Sequence, residues 1–490
     1  MSPAPAALER VGRQAPTARA VWHPLRVLFW AVLAIFFCVF HAAVPRAHFG
    51  SDEMMNLYRH WSPPLWRTIG ADFVFWSKTI RPMGALYYLP LYGLFGLNPL
   101  PFSIARSLIL LLNTFVFFQL AKMIARSWKI AALASLPMAY HAGISNLHYD
   151  GAFIYDVLCG GFFFAAFLYY IRHRKTRAAT RFGLTLSQTC VFLGLYICAL
   201  DAKEMAVSLP VLILAWEILF RGRRAKLGPA LVGGALTLIF ILGKTTGPGA
   251  LTEFDAYRPV YTWQRFSSSN TLFLNTIFYT DVFTMGRVLA LWGVLLYLGL
   301  RNWGLRKFDP RWLFLWVWVV VTPLPLAFLP DRGQATLYIV VAGWAMLAAL
   351  AIQTILRHFA RLPFAGLPRR AIVAAGLAGC IAAYWHETVR QDRKLVWIWL
   401  KVGEETAKAI RQIRELGVHP VSSSKVVFLN DPFPSRWDTY FIAALVWRDS
   451  NIEIHLQRHD AWPETVIAKA QYVFDYTDGR FVEVKPAENR

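Results

Sequence analysis

Long apolar stretches alternate with short polar ones along most of this chain. They lie near residues 27–45, 103–121, 130–143, 152–171, 183–199, 205–220, 227–243, 284–300, 312–329, 335–356 and 371–385. Runs of roughly 17–25 apolar residues match a bilayer's hydrocarbon core, so the pattern predicts about eleven transmembrane helices. One further apolar stretch, RPMGALYYLPLYGLFGLNP (81–99), is broken by Pro82, Pro90 and Pro99 and reads as a partly embedded segment rather than a span. Beyond residue 386 the period changes. Residues 387–416 read as an amphipathic helix ended near Gly417, followed by KVVFLNDP, DTYFIAALVWR, NIEIHL and AQYVFDY, which suggest strands around a helix. The expected fold is mainly α: a polytopic membrane protein with a small C-terminal α/β domain.

Composition agrees. Of 490 residues 56% are hydrophobic, 15% aromatic and only 16% charged, which favours the bilayer as solvent. The formal charge of +22 could instead signal a nucleic-acid partner, but its placement argues otherwise. The tail carries Arg10, Arg13, Arg19 and Arg26, and every second loop after it is basic: Lys122 to Lys129, Arg172 to Arg181, Arg221 to Lys226, Arg301 to Arg311 and Arg357 to Arg370. Only Glu9 and Asp309 oppose them. Lys and Arg near span ends mark the cytoplasmic side, so the charge is mostly topology. The polar region 386–490 balances 15 basic with 15 acidic residues, and no nucleic acid is expected.

That topology puts a basic tail (1–26) inside, a transmembrane domain (27–386) with a first outside loop at 46–102, and a soluble α/β domain (387–490) outside. The first span is read as uncleaved, because its apolar stretch is longer than a signal core. All five cysteines fall within spans, so no disulfide framework is expected outside. The aromatic first loop, with Trp61, Trp66, Phe73, Phe75 and Trp76, suits helices lying in the interface.

The outside loops hold the candidate chemistry. HFGSDEMMNLYRHW (48–61) places Asp52 beside Glu53 directly after the first span. HAGISNLHYDGAFIYD brings His148, Asp150 and Asp156, and ALDAKEMAVSLP brings Asp201, Lys203 and Glu204. Arg258 and Arg265 lie in a Tyr-rich fourth loop, and Asp331 and Arg332 in LPDRGQATLY, which ends at Tyr338. Each has a plainer reading: paired acids can open a solvated loop, Lys203 and Glu204 can cap a helix, and Arg332 can pair with Asp331. Together, however, a carboxylate able to take a proton and cations able to neutralise a phosphate make a group-transfer site at one membrane face.

These residues resemble the GT-C superfamily of polytopic glycosyltransferases that use polyprenyl-phosphate sugars, in the style of its protein O-mannosyltransferase and aminoarabinose transferase branches. The resemblance rests on FGSDE (49–53), RPMGALYYLPLYGLFGLNP (81–99), KEMAVSLP (203–210) and PDRGQATLY (330–338), and covers roughly 27–386. It implies Asp52 as catalytic base, with Glu53 assisting acceptor binding or geometry. Lys203 and Arg332 would hold the donor phosphate, joined by Arg258 or Arg265. Asp150, His148, Glu204 and Tyr338 are additional site candidates. The resemblance leaves room for a divalent metal ion, with Asp150 and His148 as candidate ligands, and makes no cofactor certain. The implied partners are a polyprenyl-phosphate-linked sugar, a glycan, lipid or protein acceptor, and membrane lipids. The implied location is a bacterial inner (plasma) membrane, with the C-terminal domain periplasmic or extracellular. A single inverting displacement is expected. A lipid-linked glycan polymerase or ligase, a transporter or flippase, and a noncatalytic membrane scaffold stay open as alternatives.

Overall fold

A computed structural model describes residues 24–174, 182–301, 303, 308–330, 333–361, 369–459, 463, 465, 467 and 469–485. All eleven expected segments fall on helices. Among the described residues, eight helical stretches are long and apolar enough to cross a membrane. The other three expected segments, Trp128–Ala139, Leu186–Ala202 and Met285–Leu300, are shorter, at 12, 17 and 16 residues. The chain is an integral membrane protein.

Local chemistry explains where these helices begin. Asp309 caps Pro310–Val321 by accepting from Arg311 N, and the proline sits where a missing N–H costs nothing. Thr185 and Gln188 form a reciprocal capping box at Leu186–Ala202. Farther along, Glu217 is fully buried and accepts from Tyr170 Oη at 2.7 Å and Arg174 Nη2 at 3.0 Å. This locks Ile154–Arg174 to the segment after Leu209–Trp216, because a buried carboxylate is tolerable only when paired.

The proline-broken stretch becomes the 11-residue helix Ala85–Phe95, about 16 Å long and too short to span. It packs beside Ser51–Trp61, burying Tyr87, Tyr88 and Tyr92.

Helix Arg369–Val402 runs 34 residues without a break, about 51 Å, so the expected boundary at 386–387 falls inside one continuous helix. Both of its halves pack against residues 140–145: Tyr384 Oη donates to the Tyr140 carbonyl at 2.8 Å and Trp399 Nε1 to Ser145 Oγ at 2.8 Å. Beyond it stands a four-stranded sheet of β1 (Lys425–Phe428), β2 (Glu453–Leu456), β3 (Tyr472–Thr477) and β4 (Arg480–Lys485), in the order β2-β1-β3-β4. β1 pairs in parallel with β2 and β3, and β4 closes an antiparallel hairpin on β3. Helix Asp438–Trp447 ties this unit to the first loop: the Tyr440 and Tyr58 hydroxyls lie 2.9 Å apart, and Tyr92 Oη donates to the Leu445 carbonyl at 2.6 Å.

Candidate active site

Helix Ser51–Trp61 begins five residues after the short turn Val44–Arg46, and its periodicity separates the two neighbouring carboxylates. Asp52, Met55 and Asn56, spaced i, i+3 and i+4, line a cavity of about 290 Å³. Glu53, Met54, Leu57 and His60 face the protein interior.

Glu53 is only 3% exposed. It lies against Gly151, where an added Cβ would stand 1.6 Å from Glu53 Oε1, so only glycine fits there. Burial pushes its carboxyl up to about 8; Arg106 opposes the shift and Asp150 adds to it. Glu53 therefore points inward from the same helix that presents Asp52 to the cavity.

Asp150 lies beside the same glycine pair. Its Oδ1 accepts from Ala152 N at 2.9 Å, and a Cβ on Gly50 would be 3.6 Å from that oxygen. Its carboxyl is raised, chiefly by burial, with the Ala152 N–H and Arg106 opposing and Asp52 adding. His148 is buried behind it, with Nδ1 2.8 Å from His41 Nε2. His41 Nδ1 is already 2.9 Å from the Phe37 carbonyl, so in the neutral pair the bond between the rings runs from His148. Among the described residues no group of three or more His, Cys, Asp or Glu converges as metal ligands. Asp150 Oδ1 and His148 Nδ1 are each engaged by a protein partner.

Two cations line the same cavity as Asp52, each held by an acid. Lys203 ends Leu186–Ala202 in an extended conformation, with φ −165°, and so breaks the helical path before Leu209–Trp216. It is 7% exposed and donates to Asp156 Oδ2 at 2.5 Å. Arg81 Nη2 donates to Glu204 Oε2 at 3.2 Å and to Tyr257 Oη at 3.0 Å. Its guanidinium also lies 5.5 Å from the centre of the Tyr155 ring. Arg81 has φ +55°, a left-handed conformation uncommon for a residue other than glycine and costing about 1–3 kcal/mol. The next residue, Pro82, begins a short 3₁₀ turn. At Gly84 a Cβ would meet Tyr155 Cε1 at 2.3 Å, so glycine permits the close approach that brings Arg81 to this wall.

Of the sequence-derived candidates, Asp52, Lys203 and Glu204 line this cavity together. Glu53, Asp150 and His148 lie behind it. Tyr338 is buried elsewhere, 5.9 Å between ring centres from Phe164. Arg258 is exposed, and Arg265 Nε donates to the Leu329 carbonyl at 2.5 Å, fastening the fourth loop beside the cavity. Arg332 lies outside the described residues, although Leu329 and Gly333 near it in sequence line the wall. Asp156, named from the second outside loop, serves as the partner of Lys203, and two contributors were not singled out from sequence: Arg81 and Arg106. Arg106 is 1% exposed and donates to the His148 and Tyr149 carbonyls. A lone arginine in the apolar run PFSIARSLILLL was its signal.

The chain shares its polytopic fold with solved structures of two other proteins. ArnT from Cupriavidus metallidurans in the apo state is 15% identical, with a TM-score of 0.53, 88% of this chain and 85% of that one being covered. The same protein bound to undecaprenyl phosphate is 13% identical with a TM-score of 0.51, over 88% and 86%. The archaeal oligosaccharyltransferase AglB from Archaeoglobus fulgidus, in complex with an inhibitory peptide and a dolichol-phosphate, is 12% identical with a TM-score of 0.53, over 92% and 69%. No family model and no curated protein matches the sequence.

Proposed function

We propose that this protein moves a sugar from a polyprenyl-phosphate donor to a hydroxyl acceptor, with Asp52 as general base. The observation that carries this reading is the placing of Asp52 on one cavity with Arg81 and Lys203. The fold it shares with proteins solved with undecaprenyl phosphate and with a dolichol-phosphate supports the donor class.

In the reaction, the acceptor oxygen attacks the anomeric carbon as the bond from that carbon to the phosphate oxygen breaks. Asp52 takes the acceptor's proton, and the polyprenyl phosphate leaves as an anion beside Arg81 and Lys203. Preorganised cations stabilise charge where it develops. The acids Glu204 and Asp156 orient these cations beforehand. Arg332 remains a third candidate for the phosphate, with Arg258 and Arg265 on the loop that closes the same side. Glu53 acts through geometry, wedged against Gly151 under the catalytic turn. One displacement inverts the anomeric centre. We place this face, with helix Asp438–Trp447 packed on the first loop beside it, on the periplasmic or extracellular side of a bacterial inner membrane.

The test is ligand capture by purified protein. A polyprenyl phosphate should bind and the matching polyprenol should not; equal binding of the two would remove the phosphate from the site.

A further inference from the structure

A second cavity, of about 460 Å³, lies far from Asp52 and is lined by Lys129, Arg357 and Arg361 with no acid among its lining residues. Its position follows from one helix. Tyr338–Phe359 starts directly after Gly333 and Thr336 of the first cavity and runs 22 residues, about 33 Å, so Arg357 and Arg361 stand at the opposite membrane boundary. Three span ends meet there: Pro99–Ala125 has just ended, Tyr338–Phe359 ends, and Arg369–Val402 has just begun.

The cavity has a polar floor and an apolar side. Gln353 is 4% exposed, and its amide and Ser127 Oγ lie within 3.4 Å of one another. Ser127 Oγ also accepts from Ile130 N as the cap of Trp128–Ala139, so the positive end of that helix opens toward the three cations. Trp128 and Val373 supply the apolar wall. None of Lys129, Arg357 and Arg361 is in an ion pair with a described residue. Asp309, on the same side of the molecule, is already engaged by Arg311, which also donates to the Ala125 carbonyl.

We propose that this cavity is a binding site for the phosphate of an anionic phospholipid, separate from the donor site. Three cations without an ion pair among the described residues, at the boundary of the hydrocarbon, select a phosphate. The tryptophan and the span ends beside them select one attached to acyl chains, since an indole prefers the membrane interface and the chains can follow the helices.

The experiment measures phosphatidylglycerol retained by the full-length protein in detergent, by native mass spectrometry and by titration. The comparisons are Lys129→Gln/Arg357→Gln/Arg361→Gln and, separately, Val373→Trp, which fills the cavity without changing charge. Gel filtration and thermal unfolding confirm that each variant is folded. The charge variant should lose affinity on the order of 100-fold, Val373→Trp should also lose it, and excess inorganic phosphate should not displace the lipid. Unchanged retention in the charge variant overturns the proposal. Loss on charge removal but full retention in Val373→Trp also overturns it, in favour of a diffusely charged face. Displacement by inorganic phosphate overturns it as well, by making the cavity a soluble-anion site.

Discussion

Arg81 and Glu204, 123 residues apart in the chain, meet at 3.2 Å on the wall of the cavity that Asp52 also lines. The pair ties the first loop to the break between two helices, and Arg81 lines the cavity beside it. An arginine grips phosphate oxygens with a planar fork that lysine lacks. Arg81→Gln should therefore weaken polyprenyl phosphate binding by about 10- to 100-fold, the range for a hydrogen bond to a charged group, and Arg81→Lys should lose less. Titration of the lipid into purified protein checks this, and unchanged affinity in Arg81→Gln would return the residue to a purely structural role.

Lys203 and Asp156 form a more deeply buried pair, with side chains 8% and 3% exposed. Removing one partner strands the other, at a cost of about 3–5 kcal/mol. Lys203→Met should lower the unfolding temperature markedly, and Lys203→Met/Asp156→Leu should recover much of it. The recovered double variant should still bind polyprenyl phosphate poorly. If it binds as the parent does, Lys203 serves the fold alone.

The buried Glu53 gives a pH dependence with a definite sign. Its folded-state carboxyl holds its proton up to about 8, against an ordinary value of 4.5. Between those limits the native state binds more protons than the unfolded chain, so this group's contribution is full below about 4.5 and declines as pH rises toward 8. Glu53→Gln, which keeps the neutral shape, should flatten that decline. Thermal unfolding of both proteins from pH 5 to 9 measures it, with the variant gaining on the parent as pH rises. Parallel profiles would mean that Glu53 is ionised throughout.

Much of this was legible in the sequence, because apolar run length reports spans directly and all eleven expected segments lie on helices. Asp52, Lys203 and Glu204 were legible as polar residues at span ends, and they do share one cavity. Other features depend on three-dimensional register. The different fates of Asp52 and Glu53 follow from about 100° of rotation between consecutive helical residues, visible only once the helix start at Ser51 is known. Arg81 looked like the edge of an apolar segment. Only its left-handed backbone and the gap at Gly84 turn it toward Glu204. The packing of residues 438–447 on the first loop through Tyr58 and Tyr440 joins positions 382 apart, and no local pattern encodes that.

Sidedness is tested by fusion. A reporter active only outside the cytoplasm should be active when joined after Lys485 and silent when joined after Ala225. The reverse pattern would put the Asp52 cavity on the wrong face for the proposed reaction.

The most direct measurement is sugar transfer by Asp52→Asn in proteoliposomes, across a panel of polyprenyl-phosphate sugars, with lipid binding measured in parallel. The substitution keeps the shape of the side chain and removes its ability to accept a proton. A positioned general base contributes roughly 10²–10⁴-fold, so transfer should fall by about that factor while polyprenyl phosphate affinity stays at the parent value. Transfer at the parental rate by Asp52→Asn would show that this carboxylate is not the base.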